Sequence, residues 1–196
     1  MLERVVPSNA KLMESKLIYF NAFYMRKKYD NLEVNGEEKI KEFKSYLCKY
    51  IEHLKDKIEA TPNETMKEII PFILDRIKLY EEMNEYNFFF ESPDFKSEKS
   101  LKSFNKVQPD SQKSGELLEA VYGLFQKIDP KDFNQVSVSK VCGEYLYQNK
   151  KTLKHEDLYH LLRYVLTGSH SGGPVTKVCE IFGKEETLKR IKPWLY

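Results

Sequence analysis

The clearest structural signal in the chain lies in residues 38–58, which read EKIKEFKSYLCKYIEHLKDKI. Apolar side chains recur there at every third or fourth position, and lysines and glutamates occupy most of the remaining positions. This spacing places the apolar side chains on one face of an α-helix. That face comprises Ile40, Phe43, Leu47, Tyr50, Ile51, Leu54 and Ile58. The segment therefore predicts an amphipathic helix that packs by this face.

Helical spacing continues towards the N-terminus of this segment. Ser8 or Asn9 can cap a first helix, because both side chains accept hydrogen bonds from the free amides of a first turn. The stripe that we expect this helix to bury comprises Met13, Leu17, Phe20 and Tyr24. No run of alternating apolar and polar residues with hairpin turns occurs, so the sequence predicts an all-α fold.

A further helix is predicted to start at residues 61–64, where Thr61 and Glu64 can form a capping box around a proline at the first helical position. Its apolar positions continue through Ile69 and Ile73 to Tyr80. Pro71 lies inside this pattern and removes a backbone donor, so we expect it to kink the helix or split it in two.

Residues 91–113 lose the helical pattern and are rich in Ser, Lys, Asp and Asn, which is typical of an exposed connection. We therefore predict two consecutive helical bundles, residues 1–107 and 108–196. The second bundle is expected to contain helices around residues 117–128, 138–146 and 158–165. Gly168 to Gly173 then form a turn, Pro174 opens a short helix and Gly183 ends it.

Composition describes a folded chain whose two ends are locally basic. Of 196 residues 41% are hydrophobic, and the formal net charge is +2. Residues 2–28 contain six Lys or Arg against two acids, and residues 163–196 contain six against three.

Cys48, Cys142 and Cys179 lie far apart, which favours free thiols over a disulfide framework. Neither a membrane span nor a secretory signal is apparent, so no membrane partner is expected.

No pattern of catalytic residues is found. The histidines His53, His155, His160 and His170 have no metalloenzyme spacing, and a metal pair formed by His155 and His160 is a weak alternative to solvated side chains. The Gly168–Gly173 segment follows a predicted helix rather than a strand, so it is not a phosphate-binding loop of the Walker type. We expect no metal or cofactor in this chain.

Three motifs resemble the C-terminal part of bacterial-type glutamyl-tRNA synthetases. Residues 162–168 read LRYVLTG and are followed by Gly173-Pro174, FGKE at 182–185 and RI at 190–191, similar to the family's closing LRxxLTG, GP, LGKE and RI. KLIYFN at 16–21 resembles KLxWxN, and residues 76–90 resemble RxxTLxE leading to a phenylalanine cluster. The resemblance implies a helical module of a class I aminoacyl-tRNA synthetase that grips tRNA(Glu) and reads its anticodon.

The resemblance also implies roles for individual residues. Arg76 matches the arginine that reads the third anticodon base, a cytosine, and Arg163 matches an arginine near the first two bases. The turn that packs on those bases corresponds to Gly173, Pro174, Val175 and Thr176. This chain has one residue more than the family between Arg163 and Pro174, which leaves the register of the turn open.

Contacts to the tRNA stem are implied for Lys16, Tyr19 and Arg26, with tyrosine in place of the family's tryptophan. The motifs HIGH and KMSKS are absent, so the chain alone should not activate glutamate, and ATP and Mg²⁺ would bind in a catalytic domain upstream. The implied partner is tRNA(Glu), with tRNA(Gln) left open, and we expect a monomer.

Two alternatives remain at this point. One is a helical protein-interaction scaffold whose basic ends bind an acidic partner. The other concerns location: a composition rich in Lys, Tyr and Asn with a helical cage points to a mitochondrial enzyme of the matrix, and a bacterial cytoplasmic enzyme is the alternative.

Overall fold

The computed structural model describes residues 14–32, 36–107 and 111–195. These residues form α-helices joined by turns and short 3-10 segments, with no β-strand among them, so the all-α prediction is confirmed. The helices are α1 Glu14–Lys28, α2 Gly36–Tyr50, α3 Lys55–Ala60, α4 Asn63–Leu74, α5 Glu98–Val107, α6 Ser111–Lys127, α7 Gln135–Gln148, α8 His155–Thr167 and α9 Val175–Ile191. The 3-10 segments are Glu52–Leu54, Tyr80–Phe89, Pro130–Asp132 and Lys192–Trp194.

The amphipathic segment forms the first hydrophobic core, as predicted, although it is not one helix. The backbone of Ile51 leaves the helical region at φ −128° and ψ 57°, and a 3-10 turn joins α2 to α3. The apolar face is kept across this interruption and only Tyr50 is half-buried. Its buried members are Ile40, Phe43, Leu47, Ile51, Leu54 and Ile58. They pack against α4, and this cluster is called the N-terminal core.

The predicted split at Pro71 is wrong, because α4 continues through it to Leu74, while a kink there stays a prediction. A proline in a helix interior costs about 3 kcal/mol, because it removes one backbone hydrogen bond and its ring crowds the preceding turn. Pro71 itself is exposed, while its neighbours Ile70 and Phe72 are buried, and their burial holds the helix together. The capping prediction also fails in detail: the Thr61 hydroxyl donates to the Lys57 carbonyl at 2.8 Å and so closes α3 instead of opening α4.

Helix α1 does not bury the stripe that its sequence predicts. Leu17, Phe20 and Tyr24 are 47%, 52% and 63% exposed, whereas Ala22 and Met25 are buried. Apolar and aromatic residues surround this helix on nearly every side, so periodicity does not identify which face packs. The predicted cap at Ser8 or Asn9, and Met13, lie outside the described residues.

Helix α5 was not predicted, because residues 91–113 were interpreted as an exposed connection. Its buried positions are Ser100 and Ser103, and it packs on α8. The Ser100 hydroxyl donates to the Gly168 carbonyl at 3.1 Å. The apolar residues Leu101, Phe104 and Val107 do recur at helical spacing, but the Ser-, Lys- and Asp-rich residues around them outweigh this short pattern.

Helices α6 to α9 surround a second hydrophobic core, called the C-terminal core. The turn after α8 and the helix after Pro174 confirm the sequence prediction for this region. Gly183 has φ 72° and ψ 174° inside α9, so it ends one helical segment and starts the next, as predicted. A left-handed φ of this size is easily adopted only by glycine.

The two cores meet at a third apolar cluster formed by Phe72, Phe88 and Val178. A buried arginine reinforces this junction. Arg190 donates to the carbonyl oxygens of Leu166 at 2.8 Å and Glu91 at 3.2 Å. The chain thus has an N-terminal half (α1 to α4 with the segment Tyr80–Phe89) and a C-terminal half (α6 to α9), while a boundary at residue 107 stays a prediction.

No helix in the described part of the chain combines the length and the apolar character needed to cross a lipid bilayer.

Candidate nucleic-acid interface

Arg76 lies two residues beyond the end of α4 and folds back over the last turn of that helix. Its guanidinium carbon lies 4.1 Å from the centroid of the Phe72 ring, a cation–π contact. One terminal nitrogen, Nη1, donates to the Phe72 carbonyl at 2.5 Å. The other guanidinium nitrogens have no hydrogen-bond partner within the described ranges 14–32, 36–107 and 111–195. Arg76 therefore has donors free for a ligand while the Phe72 ring supports its guanidinium.

Gly173 brings the C-terminal half into contact with this arginine. A Cβ at residue 173 would lie 2.6 Å from Cζ of Phe72 and 2.9 Å from Cζ of Arg76, where ordinary contacts are 3.4–4 Å. Only a residue without a side chain permits this approach at the observed backbone positions. Arg76 and Gly173, which both match positions of the family motifs, are distant in sequence and adjacent in the structure.

Arg163 holds the turn that carries Gly173. From α8, its Nε donates to the Gly173 carbonyl at 3.2 Å and its Nη1 donates to the His170 carbonyl at 3.0 Å. Burial lowers the pKa of the Arg163 guanidinium from its ordinary value. Since arginine stays protonated in proteins, a half-buried positive charge lies beside the turn. The structure thus places Arg163, Gly173 and Arg76 together.

The remaining matched residues of the turn differ in their exposure. Pro174 is exposed and precedes the first residue of α9. Val175 and Thr176 are only 1% and 6% exposed, because the first turn of α9 faces the interior. Only Gly173 and Pro174 therefore present a surface on which a base can stack.

The residues matched to stem contacts lie on α1. Lys16 and Tyr19 are exposed, and Tyr19 has 69% of its surface accessible, so it is not a core residue. Arg26 donates to the carbonyls of Leu74 at 2.9 Å and Asp75 at 3.1 Å. It therefore caps the carboxyl end of α4, immediately before Arg76.

A cleft of about 450 Å³ opens between the two halves beside this cluster. Arg163 and Gly173 line it, and so do side chains that sequence analysis did not single out, among them Asn84, Tyr86 and Asn87. The only signal for them was their place just before the phenylalanine run at 88–90. Their common location depends on how the two halves pack, which local periodicity does not report.

Other ionisable side chains lie beside the Gly168–Gly173 turn. The His170 ring nitrogen Nδ1 lies 3.3 Å from the Ser103 hydroxyl, and the His160 and His170 rings are 6.3 Å apart. Burial lowers the pKa of His170, and the nearby positive charges of Lys106, His160 and Arg163 lower it further. His170 is therefore neutral at pH 7, and the positive charge beside the turn belongs to Arg163 and Lys106.

Curated proteins similar to this chain are bacterial glutamate–tRNA ligases. The protein of Flavobacterium johnsoniae is 26% identical over 192 residues, covering 97% of this chain and 34% of that protein. The protein of Bacteroides fragilis is 27% identical and covers the same shares. A crystal structure of a glutamate tRNA ligase from Elizabethkingia meningosepticum matches 95% of this chain and 33% of its own, with TM-score 0.67 and 24% identity.

The chain thus spans about a third of the length of the curated relatives it matches. The sequence model of the anticodon binding domain matches residues 38–195, which is well over half of the chain and includes Arg76, Arg163 and the turn between α8 and α9. The solved structure shows the same helical fold. This chain belongs to the anticodon-binding domain family.

Proposed function

We propose that this chain is the anticodon-binding part of a glutamate–tRNA ligase, and that it binds tRNA(Glu) and discriminates its anticodon. The observation that supports this most is the convergence of Arg76, Gly173 and Arg163 from the two halves of the molecule. Family membership supplies the ligand class, and the names of the similar bacterial proteins supply the amino acid.

The chemistry of this cluster suits an unpaired nucleotide. Single-stranded loops are recognised by stacking on flat side chains and by hydrogen bonds to the exposed edges of the bases. Arg76 offers free guanidinium donors on an aromatic support, and Pro174 offers an exposed apolar surface next to it. We assign to Arg76 the third anticodon base, a cytosine, whose edge carries acceptors for these donors.

Arg163, Gly173 and Pro174 would lie against the first two anticodon bases. Val175 and Thr176 would act through the shape of the turn, since their side chains face the interior. Lys16, Tyr19 and Arg26 would lie along the tRNA stem, where contacts to phosphates set position rather than sequence preference.

The remaining parts of the proposal concern the whole enzyme. The relatives are about three times as long as this chain, so attachment of glutamate with ATP and Mg²⁺ is assigned to a catalytic part beyond it. We propose that the chain itself holds no cofactor and is a monomer, and that tRNA(Gln) is a second possible substrate of the parent enzyme. We propose the mitochondrial matrix as its location, with the bacterial cytoplasm as the alternative that the bacterial relatives favour.

A binding titration tests this proposal. The chain is titrated, at one fixed moderate salt concentration, against tRNA(Glu) and the same tRNA with the third anticodon cytosine replaced. We expect weaker binding of the replaced tRNA, by about five- to a hundredfold, because one good bidentate base contact contributes about 1–3 kcal/mol. Equal affinity would reject anticodon reading at that base.

A second function is favoured by one observation, the exposed aromatic side of α1. Leu17, Phe20, Phe23 and Tyr24 are each about half exposed or more. Apolar side chains that share an exposed face mark protein-binding surfaces, which is the scaffold alternative. If neither tRNA binds in the titration, the protein-interaction scaffold replaces anticodon binding as the proposed function.

A further inference from the structure

The cleft between the halves is lined by residues from both. The 3-10 segment Tyr80–Phe89 contributes Asn84 to Phe88, and α4 contributes Phe72. The facing wall consists of Arg163 and Thr167 of α8, most of the turn that follows it, and Val178 of α9. Arg76 is not among the lining residues, although Phe72 and Gly173, both close to its guanidinium, are.

The charged side chains of the cleft disfavour a phosphate. Three lining carboxylates, those of Glu85, Glu91 and Asp94, outnumber the lining cations Lys99 and Arg163. Glu85 pairs with Lys99 at 3.4 Å and Glu91 with Lys57 at 3.6 Å. The charges of the remaining Asp94 and Arg163 are opposite, so the cleft has no excess of positive charge. Phosphate contacts in RNA complexes require an excess of positive charge. The cleft instead suits an uncharged ligand that offers hydrogen-bond donors as well as acceptors.

The apolar part of the cleft is aromatic. Phe72, Tyr86 and Phe88 line it, and the rings of Phe72 and Tyr86 are 6.3 Å apart and nearly perpendicular. Walls of this kind accept flat rings, since every nucleobase has a face that stacks on an aromatic side chain. The volume of about 450 Å³ lies within the range of small-molecule sites.

One side chain at this wall carries hydrogen-bonding groups that the protein does not use. The Asn87 amide is half-buried, and neither it nor the Asn84 amide has a partner among the residues that the structure describes. The backbone around Asn87 is fixed, because its carbonyl accepts hydrogen bonds from Phe90 at 2.8 Å and Glu91 at 3.1 Å. The amide atoms of Asn87 remain accessible to solvent, so their donor and acceptor groups are available to the edge of a ligand in place of water.

We propose that the cleft accepts one unpaired nucleobase and that Asn87 is a base-reading residue, in addition to Arg76 and Arg163. This inference rests on the proposed function. An asparagine amide presents one donor group and one acceptor side by side, which matches the adjacent acceptor and donor on the edge of a pyrimidine. Since Arg76 lies outside the cleft, the base read by Asn87 is the first or second of the anticodon rather than the third.

The experiment measures the affinity of the chain, its Asn87→Ala variant and its Asn87→Asp variant for four RNAs. These are tRNA(Glu) and three versions in which one anticodon base is replaced. The matched control is Asn63→Ala, an exposed asparagine at the first position of α4 that makes no capping hydrogen bond and lies outside the cleft. Thermal unfolding of each variant verifies that it folds.

For Asn87→Ala we expect a two- to tenfold loss of affinity for tRNA(Glu), the contribution of one or two neutral hydrogen bonds. The variant should no longer distinguish the replaced base at the first or second position, while it still discriminates at the third. Asn87→Asp should bind more weakly still, because it adds a carboxylate beside Glu91 and Asp94.

Two results would overturn the inference alone. In one, the parent chain discriminates all three bases and Asn87→Ala discriminates them equally well. In the other, Asn87→Ala weakens every RNA by the same factor, as a change in shape would do. If the parent chain binds none of the RNAs, the proposed function fails together with this inference.

Discussion

Replacing Gly173 by alanine tests the contact that joins Arg76 to the turn between α8 and α9. The added Cβ would lie 2.6 Å from Cζ of Phe72, which is 0.8 Å inside the 3.4 Å where ordinary contacts begin. The Phe72 ring is buried and cannot retreat, whereas the half-exposed Arg76 side chain can swing away. Overpacking of this kind costs about 1–3 kcal/mol. We therefore expect Gly173→Ala to lower the free energy of unfolding by about that amount.

The assay is a double-mutant cycle in denaturant unfolding, with Gly173→Ala, Arg76→Ala and both changes together. Because Arg76 lies in the path of the new Cβ, its removal should relieve part of the strain, and the two effects should couple by about 0.5–3 kcal/mol. The control is Gly143→Ala in α7, whose Cβ would meet nothing within 4 Å. That change should stabilise the protein by up to about 1 kcal/mol, since alanine is the better helix former.

Strict additivity of Gly173→Ala and Arg76→Ala, or a stabilising effect of Gly173→Ala, would refute the contact between the two halves. A binding readout accompanies the stability readout. Since displaced guanidinium donors cannot reach a base, Gly173→Ala should also flatten the preference at the third anticodon base. Retention of the full preference would show that Arg76 does not need its aromatic support.

Three further predictions follow from other contacts. Arg190→Ala should destabilise the fold by about 3 kcal/mol, because it removes a buried cation that donates to Glu186 at 2.8 Å and to the carbonyls of Leu166 and Glu91. Denaturant unfolding measures this, and a loss below about 1 kcal/mol would contradict it. For Glu186, burial raises the pKa of the carboxyl group, but hydrogen bonds from Arg190 and Lys189 outweigh burial and hold this pKa below 4.5. The contribution of the Glu186 carboxylate to stability is therefore complete above pH 4.5 and falls as the pH drops through the lowered pKa. Glu186→Gln should remove that part of the acid sensitivity, and an unchanged pH profile of thermal unfolding would argue against the pairing. Lys16→Ala should weaken binding of all tRNAs alike and reduce the salt slope by about one, whereas an effect on one anticodon only would exclude a phosphate contact.

Hydrophobic periodicity located the elements whose packing is one-sided. The 38–58 segment has charged residues opposite its apolar face, so only one orientation buries it well, and the structure uses that orientation. Helix α1 has aromatic residues on most sides, and the face that packs is selected by Ala22 and by the Asn21 amide, which donates to the Lys78 carbonyl at 2.6 Å. Such a polar contact depends on a distant partner that local sequence does not reveal.

The residues of the candidate site were likewise predicted only in part from the sequence. Arg76, Arg163 and Gly173 were identified by resemblance to a family, and the structure brings them together. The buried side chains of Val175 and Thr176 were not foreseen, because a motif match assigns positions and not orientations. Asn87 lies within the matched segment 76–90, but the match assigned it no role, and its place in the cleft is evident only when both walls are present.

The apolar cluster of Phe72, Phe88 and Val178 joins the two halves, lines the cleft and supports Arg76 through the Phe72 ring. An RNA loop bound across this cluster would contact both halves and so hold them together. Because such a ligand binds only the joined form, it would stabilise the folded chain by an amount that grows with the logarithm of its concentration above Kd. The melting temperature of the protein would then report occupancy of the site, and neither half, separated from the other, would keep a complete surface for the loop.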